Sequence, residues 1–194
     1  MDQENYKGGI SMVLVCGGAG YIGSHCTLEL LRKGYKVIVL DDLSTGYRSA
    51  VHSDAIFYKG RIQDSQLLDE IFADNNIDAV LHFAANSLVA ESVSNPIKYY
   101  ENNIGGTVTL LKSMIKHDIK KIVFSSTASV YGNSKEHVLT EDTDTNPTNI
   151  YGTTKLAIEK LLTALDYAEG LNSIVFRYFN VAGADKSGII GESH

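Results

Sequence analysis

A glycine-rich turn, GGAGYIG at residues 17–23, constrains this chain more than any other stretch of its sequence. It follows an apolar run at residues 12–16 and precedes a segment whose apolar residues have helical spacing. Because glycine has no side chain, main-chain amides at such a turn can approach a pyrophosphate at the positive N-terminus of a helix. The spacing fits G-x-G-x-x-G through Gly18, Gly20 and Gly23, which predicts a dinucleotide-binding turn; a glycine turn without a ligand is the alternative.

The apolar run at residues 36–40 is predicted to be the next strand, and it ends in Asp41 and Asp42. In dinucleotide-binding folds, an acidic side chain at about this distance beyond the glycines binds the adenosine ribose hydroxyls. The two features together are typical of a nicotinamide dinucleotide site.

The rest of the chain alternates between short apolar runs and segments with helical spacing. This alternation predicts an α/β fold, a doubly wound parallel sheet covered by helices on both faces, known as a Rossmann fold. The expected strands are residues 12–16, 36–40, 55–59, 78–83, 121–126 and 173–176, and the expected helices are residues 21–33, 65–74 and 150–167.

A longer helical segment is expected from Pro96 to about Lys116, although Asn102, Asn103 and the glycines at 105 and 106 are weak helix formers. Two explanations remain open. The glycines permit close packing against a neighbouring helix, whereas Asn103 can also point its amide toward a cofactor.

Ligands of doubly wound sheets bind at the carboxyl ends of the strands. The polar groups that follow the predicted strands are the glycine turn, Asp41, residues 82–85 and residues 125–127. We therefore expect these groups to line one site.

With 194 residues, a net charge of −6 and two cysteines, the sequence favours one soluble domain with a small diffusible ligand. The acidic balance argues against nucleic acid or an anionic membrane as a partner, and no apolar run is long enough for a membrane span. The two cysteines give no disulfide or metal framework, so we expect no metal site. We expect a cytoplasmic protein with a flexible leader over residues 1–11.

Tyr151 and Lys155 are four residues apart in the last predicted helix, so their side chains share one face. A lysine ammonium beside a phenol favours the phenolate, and with a bound nicotinamide cation it lowers the tyrosine pKa from about 10 toward the working pH. Tyr151 is then a base for a sugar or alcohol hydroxyl, which Thr127 can also hydrogen-bond. For the spacing alone, an exposed helical pair is the alternative.

Longer motifs surround these residues: GGAGYIGSH at 17–25, LDDL at 40–43, HFAA at 82–85, YYENN at 99–103, FSSTASVYG at 124–132 and RYFN at 177–180. Together they resemble the extended short-chain dehydrogenase/reductase family, and within it the nucleotide-sugar 4-epimerases, from about residue 12 to the end of the chain. The resemblance implies an NAD-dependent isomerase that interconverts UDP-glucose and UDP-galactose through a 4-keto sugar, with the hydride returning to the other face of the sugar.

The resemblance also implies the residues of the cofactor site. The amides of Tyr21 and Ile22 meet the pyrophosphate, and Asp41 binds the adenosine ribose, where its charge repels the extra phosphate of NADP. The other implied NAD contacts are Gly17, Gly20, Gly23, Leu43, Ser44, Thr45, Gly46, Arg61, Ile62, Phe83, Ala84, Ala85, Ser87, Asn103, Tyr151, Lys155 and Phe179.

For catalysis, the resemblance implies that Tyr151 takes the proton of the sugar 4-hydroxyl, while Lys155 holds the nicotinamide ribose and tunes Tyr151. Thr127 stands in for the family's Ser or Thr, and Asn180 touches the diphosphate of the UDP-sugar. The family's 4,6-dehydratases carry an Asp-Glu pair after the catalytic Thr, where this chain has Ala128-Ser129. Epimerisation is therefore favoured; a UDP-sugar decarboxylase, a 4,6-dehydratase or a non-catalytic NAD-binding module are the alternatives.

Two departures from the family pattern bear on these expectations. Arg61 stands where the family usually has an acid that accepts a hydrogen bond from the adenine amino group, and a guanidinium cannot accept one. Either adenine is recognised by stacking or backbone, or NAD binding is weakened.

The second departure is length, since family members continue into a substrate-binding domain. We expect an NAD-binding domain with the catalytic residues at 12–180, the start of a truncated substrate-binding region at 181–194, and impaired activity of the short chain. The resemblance further implies a homodimer built from the helices after Pro96 and Asn149.

Overall fold

A computed structural model describes residues 11–192 of the chain. Residues 1–10 of the expected leader lie outside the described part, as do residues 193 and 194. The remaining leader residue, Ser11, accepts a hydrogen bond at its carbonyl from the Lys36 amide at 3.1 Å.

The described residues form one parallel six-stranded sheet with the strand order β3-β2-β1-β4-β5-β6. The strands are β1 (Met12–Cys16), β2 (Lys36–Asp41), β3 (Ile56–Lys59), β4 (Ile77–His82), β5 (Lys121–Thr127) and β6 (Asn172–Tyr178). The helices are α1 (Tyr21–Arg32), α2 (Ser65–Asp74), α3 (Val89–Ser94), α4 (Pro96–Tyr99), α5 (Gly106–Lys116) and α6 (Ile150–Glu169). This architecture confirms the predicted doubly wound sheet.

Strand β1 separates two hydrophobic cores, because successive side chains of a strand point to opposite faces of the sheet. Leu14 and Cys16 pack into a cluster with residues of α2, α5 and α6. Val13 and Val15 belong to a second cluster that includes Leu30 of α1. Burial on both faces explains why the strand is an uninterrupted apolar run.

The helical segment predicted from Pro96 to Lys116 is continuous, and its middle part is a π-helical turn over Tyr100–Gly105. This wider turn coincides with the weak helix formers Asn102, Asn103 and Gly105. Gly106 follows it and packs closely, since a Cβ there would lie 2.8 Å from the Ile62 side chain. Close packing therefore accounts for Gly106, and the π turn sets the direction of the asparagines.

Several element boundaries differ from those expected. Helix α6 continues to Glu169 and ends at Gly170, whose φ of +65° terminates the helix. Its last turns carry the exposed Tyr167, so the apolar pattern ends before the helix does. Helix α3 was not predicted, because six residues are too few for a periodic pattern. No helix within residues 11–192 combines the length and the apolar character needed to cross a bilayer.

Candidate active site

The carboxyl ends of β1 and β4 meet at the point where the strand order reverses, which is where doubly wound sheets bind ligands. The turn after β1 fits closely against the segment after β4: Gly17 has a φ of +79°, and a Cβ there would lie 2.6 Å from the Ala84 amide nitrogen. A Cβ at Gly23 would lie 2.1 Å from the Gly17 carbonyl oxygen. These two glycines are required for the turn to close, whereas their expected approach to a pyrophosphate stays a prediction.

The N-terminus of α1 is suited to an anion. The N-cap residue is Gly20, so no side chain caps the helix, and no acidic residue lies in the first turn. The unpaired amides and the helix dipole therefore concentrate positive potential where Tyr21 and Ile22 begin the helix. A Cβ at Gly20 would meet only the Gly17 carbonyl, at 3.5 Å, so the approach to this end is open.

Asp41 ties the glycine turn to the loop that follows β2. Its Oδ2 accepts from the Ala19 amide at 2.9 Å, and its Oδ1 accepts from the Leu43 amide at 2.8 Å. The second bond holds Leu43 at a φ of +61°, an uncommon backbone conformation for a side chain of this kind. Each carboxylate oxygen keeps a second acceptor position, which a ribose hydroxyl can use. The expected contact with the ribose itself stays a prediction.

The loop at residues 43–46 lies directly on the glycine turn. A Cβ at Gly46 would lie 2.7 Å from the backbone of Ala19, and the Tyr47 amide donates to the Ala19 carbonyl at 3.1 Å. A cleft of about 330 Å³ opens beside this junction, and its walls include Gly20, Tyr21 and Thr45. Thr45 is exposed in this cleft, and the neighbouring Ser44 is exposed as well, which suits the adenosine pocket expected there.

Arg61 is engaged by an acid that sequence reasoning did not assign to it. Its Nε lies 3.0 Å from Oδ2 of Asp42, whose Oδ1 accepts from the Ser44 amide at 2.8 Å. Partial burial opposes ionisation, but the hydrogen bonds from Ser44 and Arg61 lower the pKa of Asp42. The side chain of Ile62 is buried against Gly106, so its expected contact with the cofactor, which stays a prediction, is left to its backbone.

His82 lies at the end of β4, but its side chain does not face the site as the strand-end pattern suggested. Its Nε2 is 2.8 Å from the hydroxyl of Thr107, which itself donates to the Asn103 carbonyl at 2.6 Å. Nε2 is therefore the donor to Thr107, and burial together with the charge of Lys155 lowers the pKa of His82 to about 3. His82 is a neutral residue of the interior.

Asn103 is a structural bridge. Its Oδ1 accepts from the Asn86 amide at 2.8 Å and from the Asn102 side chain at 3.0 Å, while its Nδ2 donates to the Asn86 carbonyl at 3.1 Å and to the Thr154 hydroxyl at 3.2 Å. The bridge joins the segment after β4, which includes Phe83, Ala84, Ala85 and the exposed Ser87, to α6. These four bonds use all of the amide's ordinary hydrogen-bonding positions, so a hydrogen bond to NAD would have to replace one of them. The expected contact of Asn103 with NAD stays a prediction.

Thr127 and Tyr151 meet where β5 ends and α6 begins. The side chain of Asn149 caps α6 by accepting from the Gly152 amide at 2.8 Å, and a Cβ at Gly152 would lie 2.6 Å from the Ser129 carbonyl. This close approach brings Tyr151 to the hydroxyl of Thr127. Burial raises the pKa of the Tyr151 phenol, and its hydrogen bond with Thr127 opposes that rise.

Lys155 is buried one turn further along α6. Its Nζ donates to the Ser125 carbonyl at 2.7 Å and lies 4.7 Å from the centroid of the Phe124 ring. The centroid of the Tyr151 ring is 5.8 Å away. The lowering of the Tyr151 pKa expected from Lys155 is not found, because the ammonium is directed to Ser125 and burial dominates at the phenol.

Burial also lowers the pKa of Lys155 to about 7, against the opposing charge of Glu159. Phe179 and Asn180 follow β6 and are exposed; the Phe179 ring packs 6.4 Å from that of Tyr131. The structure therefore brings together Thr127, Tyr151 and Lys155, whereas the roles of Phe179 and Asn180 stay predictions.

Comparison with known proteins gives a consistent result. The model of the NAD dependent epimerase/dehydratase family matches residues 13–192. The chain is 59% identical over 182 residues to a UDP-glucose 4-epimerase of Halalkalibacterium halodurans, and 53% identical over 182 residues to one of Lactobacillus helveticus. Each alignment covers 94% of this chain, but only 54% and 55% of the respective relative, so the chain spans about half their length.

Solved structures show the same similarity. A UDP-glucose 4-epimerase from Brucella ovis in complex with NAD superposes with a TM-score of 0.92 at 43% identity, over 95% of this chain and 56% of that one. The enzyme from Bifidobacterium longum in complex with NAD+ and UDP gives a TM-score of 0.90 at 44% identity, over 94% of this chain and 57% of that one.

Proposed function

We infer the function of this chain from one premise: it belongs to the NAD dependent epimerase/dehydratase family. We propose that residues 12–180 form the NAD-binding domain of a nucleotide-sugar 4-epimerase and carry its catalytic groups. The reaction is the interconversion of UDP-glucose and UDP-galactose through a 4-keto sugar. Residues 181–194 begin the region that binds the substrate.

The observation that carries this proposal is the meeting of Thr127, Tyr151 and Lys155 at the carboxyl edge of the sheet. Thr127 accepts a hydrogen bond at Oγ1 from the Ser129 amide at 3.1 Å, which fixes its rotamer and leaves its proton to donate. Its hydroxyl and the Tyr151 phenol converge from two elements, so both can contact one sugar hydroxyl. The UDP of the Bifidobacterium longum complex supports a UDP-sugar as the substrate.

The structure has a surface that fits NAD. The open N-terminus of α1 suits the pyrophosphate, and Asp41 retains acceptor positions for the ribose hydroxyls. The loop at residues 43–46 and the pair of Asp42 with Arg61 lie where adenosine would be held. NAD, when bound, supplies a hydride acceptor for the sugar C4 and a positively charged ring.

The chain's own groups perform the proton transfer. Tyr151 accepts the proton of the sugar 4-hydroxyl at its phenolic oxygen and returns it at the end of the reaction, while Thr127 donates a hydrogen bond to the same oxygen of the sugar. Burial excludes water and raises the pKa of the phenol, so ionisation needs positive charge in the pocket. The Lys155 ammonium is directed to the Ser125 carbonyl, and its proposed role is to hold the nicotinamide ribose.

Elimination, as in the 4,6-dehydratases, is disfavoured at this site. The residues after Thr127 are Ala128 and Ser129, which form a short turn leading to Tyr131. Neither side chain is a carboxylic acid, so the chain has no acid or base there for the carbons beyond C4. Epimerisation needs only one proton-transfer residue, which we propose is Tyr151.

We also propose that the protein is a cytoplasmic homodimer. Leu88, Val93 and Ile97 of the α3–α4 region are each more than 60% exposed, and Tyr100 lies beside them. An apolar surface of this kind on helices is typical of a protein interface. Helix α6 contacts α3, so the surface adjoins both helices from which a dimer was expected.

A coupled assay of UDP-galactose conversion tests the function, with NAD binding measured in parallel by calorimetry. We expect this chain to bind NAD and to show low activity, which Tyr151→Phe abolishes without loss of NAD affinity. Tyr167→Phe, at the fully exposed end of α6, is the matched control and should change neither. Equal activity in the unchanged chain and Tyr151→Phe would reject the catalytic role. NAD binding without activity in either protein would indicate a cofactor-binding module.

A further inference from the structure

Glu159 is a buried carboxylate that joins the three elements carrying the site. It lies on α6, one turn after Lys155. Ser126, the neighbour of Thr127 on β5, donates to its Oε1. Arg177 on β6 donates to its Oε2 from Nη2 at 2.8 Å and from Nε at 3.2 Å. A single side chain therefore links α6 to the carboxyl ends of β5 and β6.

Arg177 extends this link to the loop beyond Thr127. Its Nη1 donates to the Tyr131 hydroxyl and to the Glu141 carbonyl, both at 3.1 Å, and its guanidinium lies 4.9 Å from the centroid of the Tyr131 ring. The Tyr131 hydroxyl in turn donates to the Thr140 carbonyl at 3.0 Å. Buried ion pairs contribute little net stability, but an ion pair whose hydrogen bonds are all formed fixes the relative positions of the groups that it joins.

Glu159 also acts on the charge of Lys155. Within residues 11–192, three titratable groups act on this ammonium or lie close to it: Tyr151 and Glu159 on its own helix, and His82 on β4. His82 is neutral because burial lowers its pKa to about 3, and burial raises the pKa of Tyr151. The Glu159 carboxylate is the group whose charge opposes the loss of the Lys155 proton on burial.

We propose that Glu159 is a positioning residue of this site: its carboxylate fixes the ends of β5 and β6 against α6, and its negative charge, one helical turn away, favours the ammonium form of Lys155. The inference deepens the proposed function, on which the catalytic importance of Lys155 rests. The charge effect itself depends only on the chain's own residues. It can therefore be tested whether or not the epimerase assignment holds.

The direct test follows the Lys155 titration by NMR in the chain labelled with ¹³C-lysine, with the signal assigned through Lys155→Arg. Glu159→Gln removes the charge but keeps the shape of the side chain, and we expect the Lys155 midpoint to move to lower pH. The matched control is Glu169→Gln, which removes the same charge from the exposed end of α6 and should leave the midpoint unchanged. Equal midpoints in the unchanged chain, Glu159→Gln and the control would overturn the proposal.

A second variant covers the case in which Glu159→Gln does not fold, because it leaves Arg177 without its partner. Glu159→Gln/Arg177→Met removes the carboxylate and its cation together. The Lys155 midpoint should again fall, since Glu159 and not Arg177 is the group that acts on Lys155. An unchanged midpoint in this variant would also overturn the proposal. Glu159→Asp keeps the charge, so the midpoint of the Lys155 titration should lie close to that of the unchanged chain.

Activity gives an independent measurement when the chain is an active epimerase. Loss of the ammonium form at lower pH should shift the alkaline limb of the pH–kcat profile of Glu159→Gln to lower pH. Misplacement of Thr127 should lower kcat by about tenfold or more. A lower kcat with an unshifted profile would contradict the charge role, whereas absence of activity in the unchanged chain would count against the proposed function alone.

Discussion

The guanidinium of Arg61 is paired with the carboxylate of Asp42, with 3.0 Å between Nε and Oδ2. The pair occupies the edge where adenine is expected, between the end of β2 and the loop after β3. It neutralises the cation that stands where the resemblance implies an acid. It does not supply the missing acceptor at position 61, because the guanidinium has only donors.

The first prediction isolates that acceptor. Arg61→Asn and Arg61→Leu both remove the ion pair, but only asparagine can accept a hydrogen bond from the adenine amino group. If residue 61 contacts the adenine amino group, NAD should bind Arg61→Asn about fivefold more tightly than Arg61→Leu, because one hydrogen bond contributes about 1 kcal/mol. Calorimetric titration gives both values, and equal affinities would exclude the contact. Arg61→Asp is less informative, since it places a second carboxylate beside Asp42.

The glycine turn makes a prediction about folding. Gly23→Ala requires a Cβ 2.1 Å from the Gly17 carbonyl, so the turn must shift, and we expect a loss of more than about 2 kcal/mol in unfolding free energy together with loss of NAD binding. Gly20→Ala meets that carbonyl at an ordinary 3.5 Å and is the control, with little change in stability. Urea denaturation measures the difference. Similar stability of the two variants would show that the turn accommodates a Cβ at position 23 at little cost.

The bridge made by Asn103 predicts a large effect of a small substitution. Asn103→Ala leaves the Asn86 amide and the Thr154 hydroxyl without this partner inside the protein, which should cost about 1–3 kcal/mol in unfolding free energy. Asn102→Ala removes a partly exposed side chain that bonds to Gln63 and supplies only one of the four bonds of Asn103, so it should cost less. A comparable loss in both variants, measured by denaturation, would argue against the bridge as the main role of Asn103.

Lys155 makes the stability depend on pH. Burial lowers its pKa from 10.5 to about 7, so between these pH values the unfolded chain binds a proton that the folded chain does not. The free energy of unfolding therefore rises with pH across this window, by up to about 1.4 kcal/mol per pH unit from this residue, and is constant below it. Lys155→Met should lose that slope, whereas Lys160→Met, exposed on the same helix, should keep it. Parallel pH profiles of the two variants would contradict the shift.

The order of strands and helices was predictable because it is encoded locally. The apolar runs and the glycine spacing each depend on residues a few positions apart, and the sheet has the architecture they indicate. The four-residue spacing of Tyr151 and Lys155 placed them on one helix in the same way. The short α3 and the π turn at residues 100–105 escaped prediction, because neither has a periodic pattern of its own.

Partnerships between distant residues needed the tertiary structure. Sequence alone assigned Lys155 to Tyr151, but the ammonium donates to Ser125 because β5 presents its carbonyl beneath α6. It left Asn103 between two explanations, and the structure shows it bonded to Asn86 and Thr154. Arg61 meets Asp42 only when β3 pairs with β2, and Glu159 meets Arg177 only when α6 packs against β6. Local periodicity determined which elements form and which residues reach the carboxyl edge of the sheet; the packing of those elements decided which groups touch, and so which carry charge.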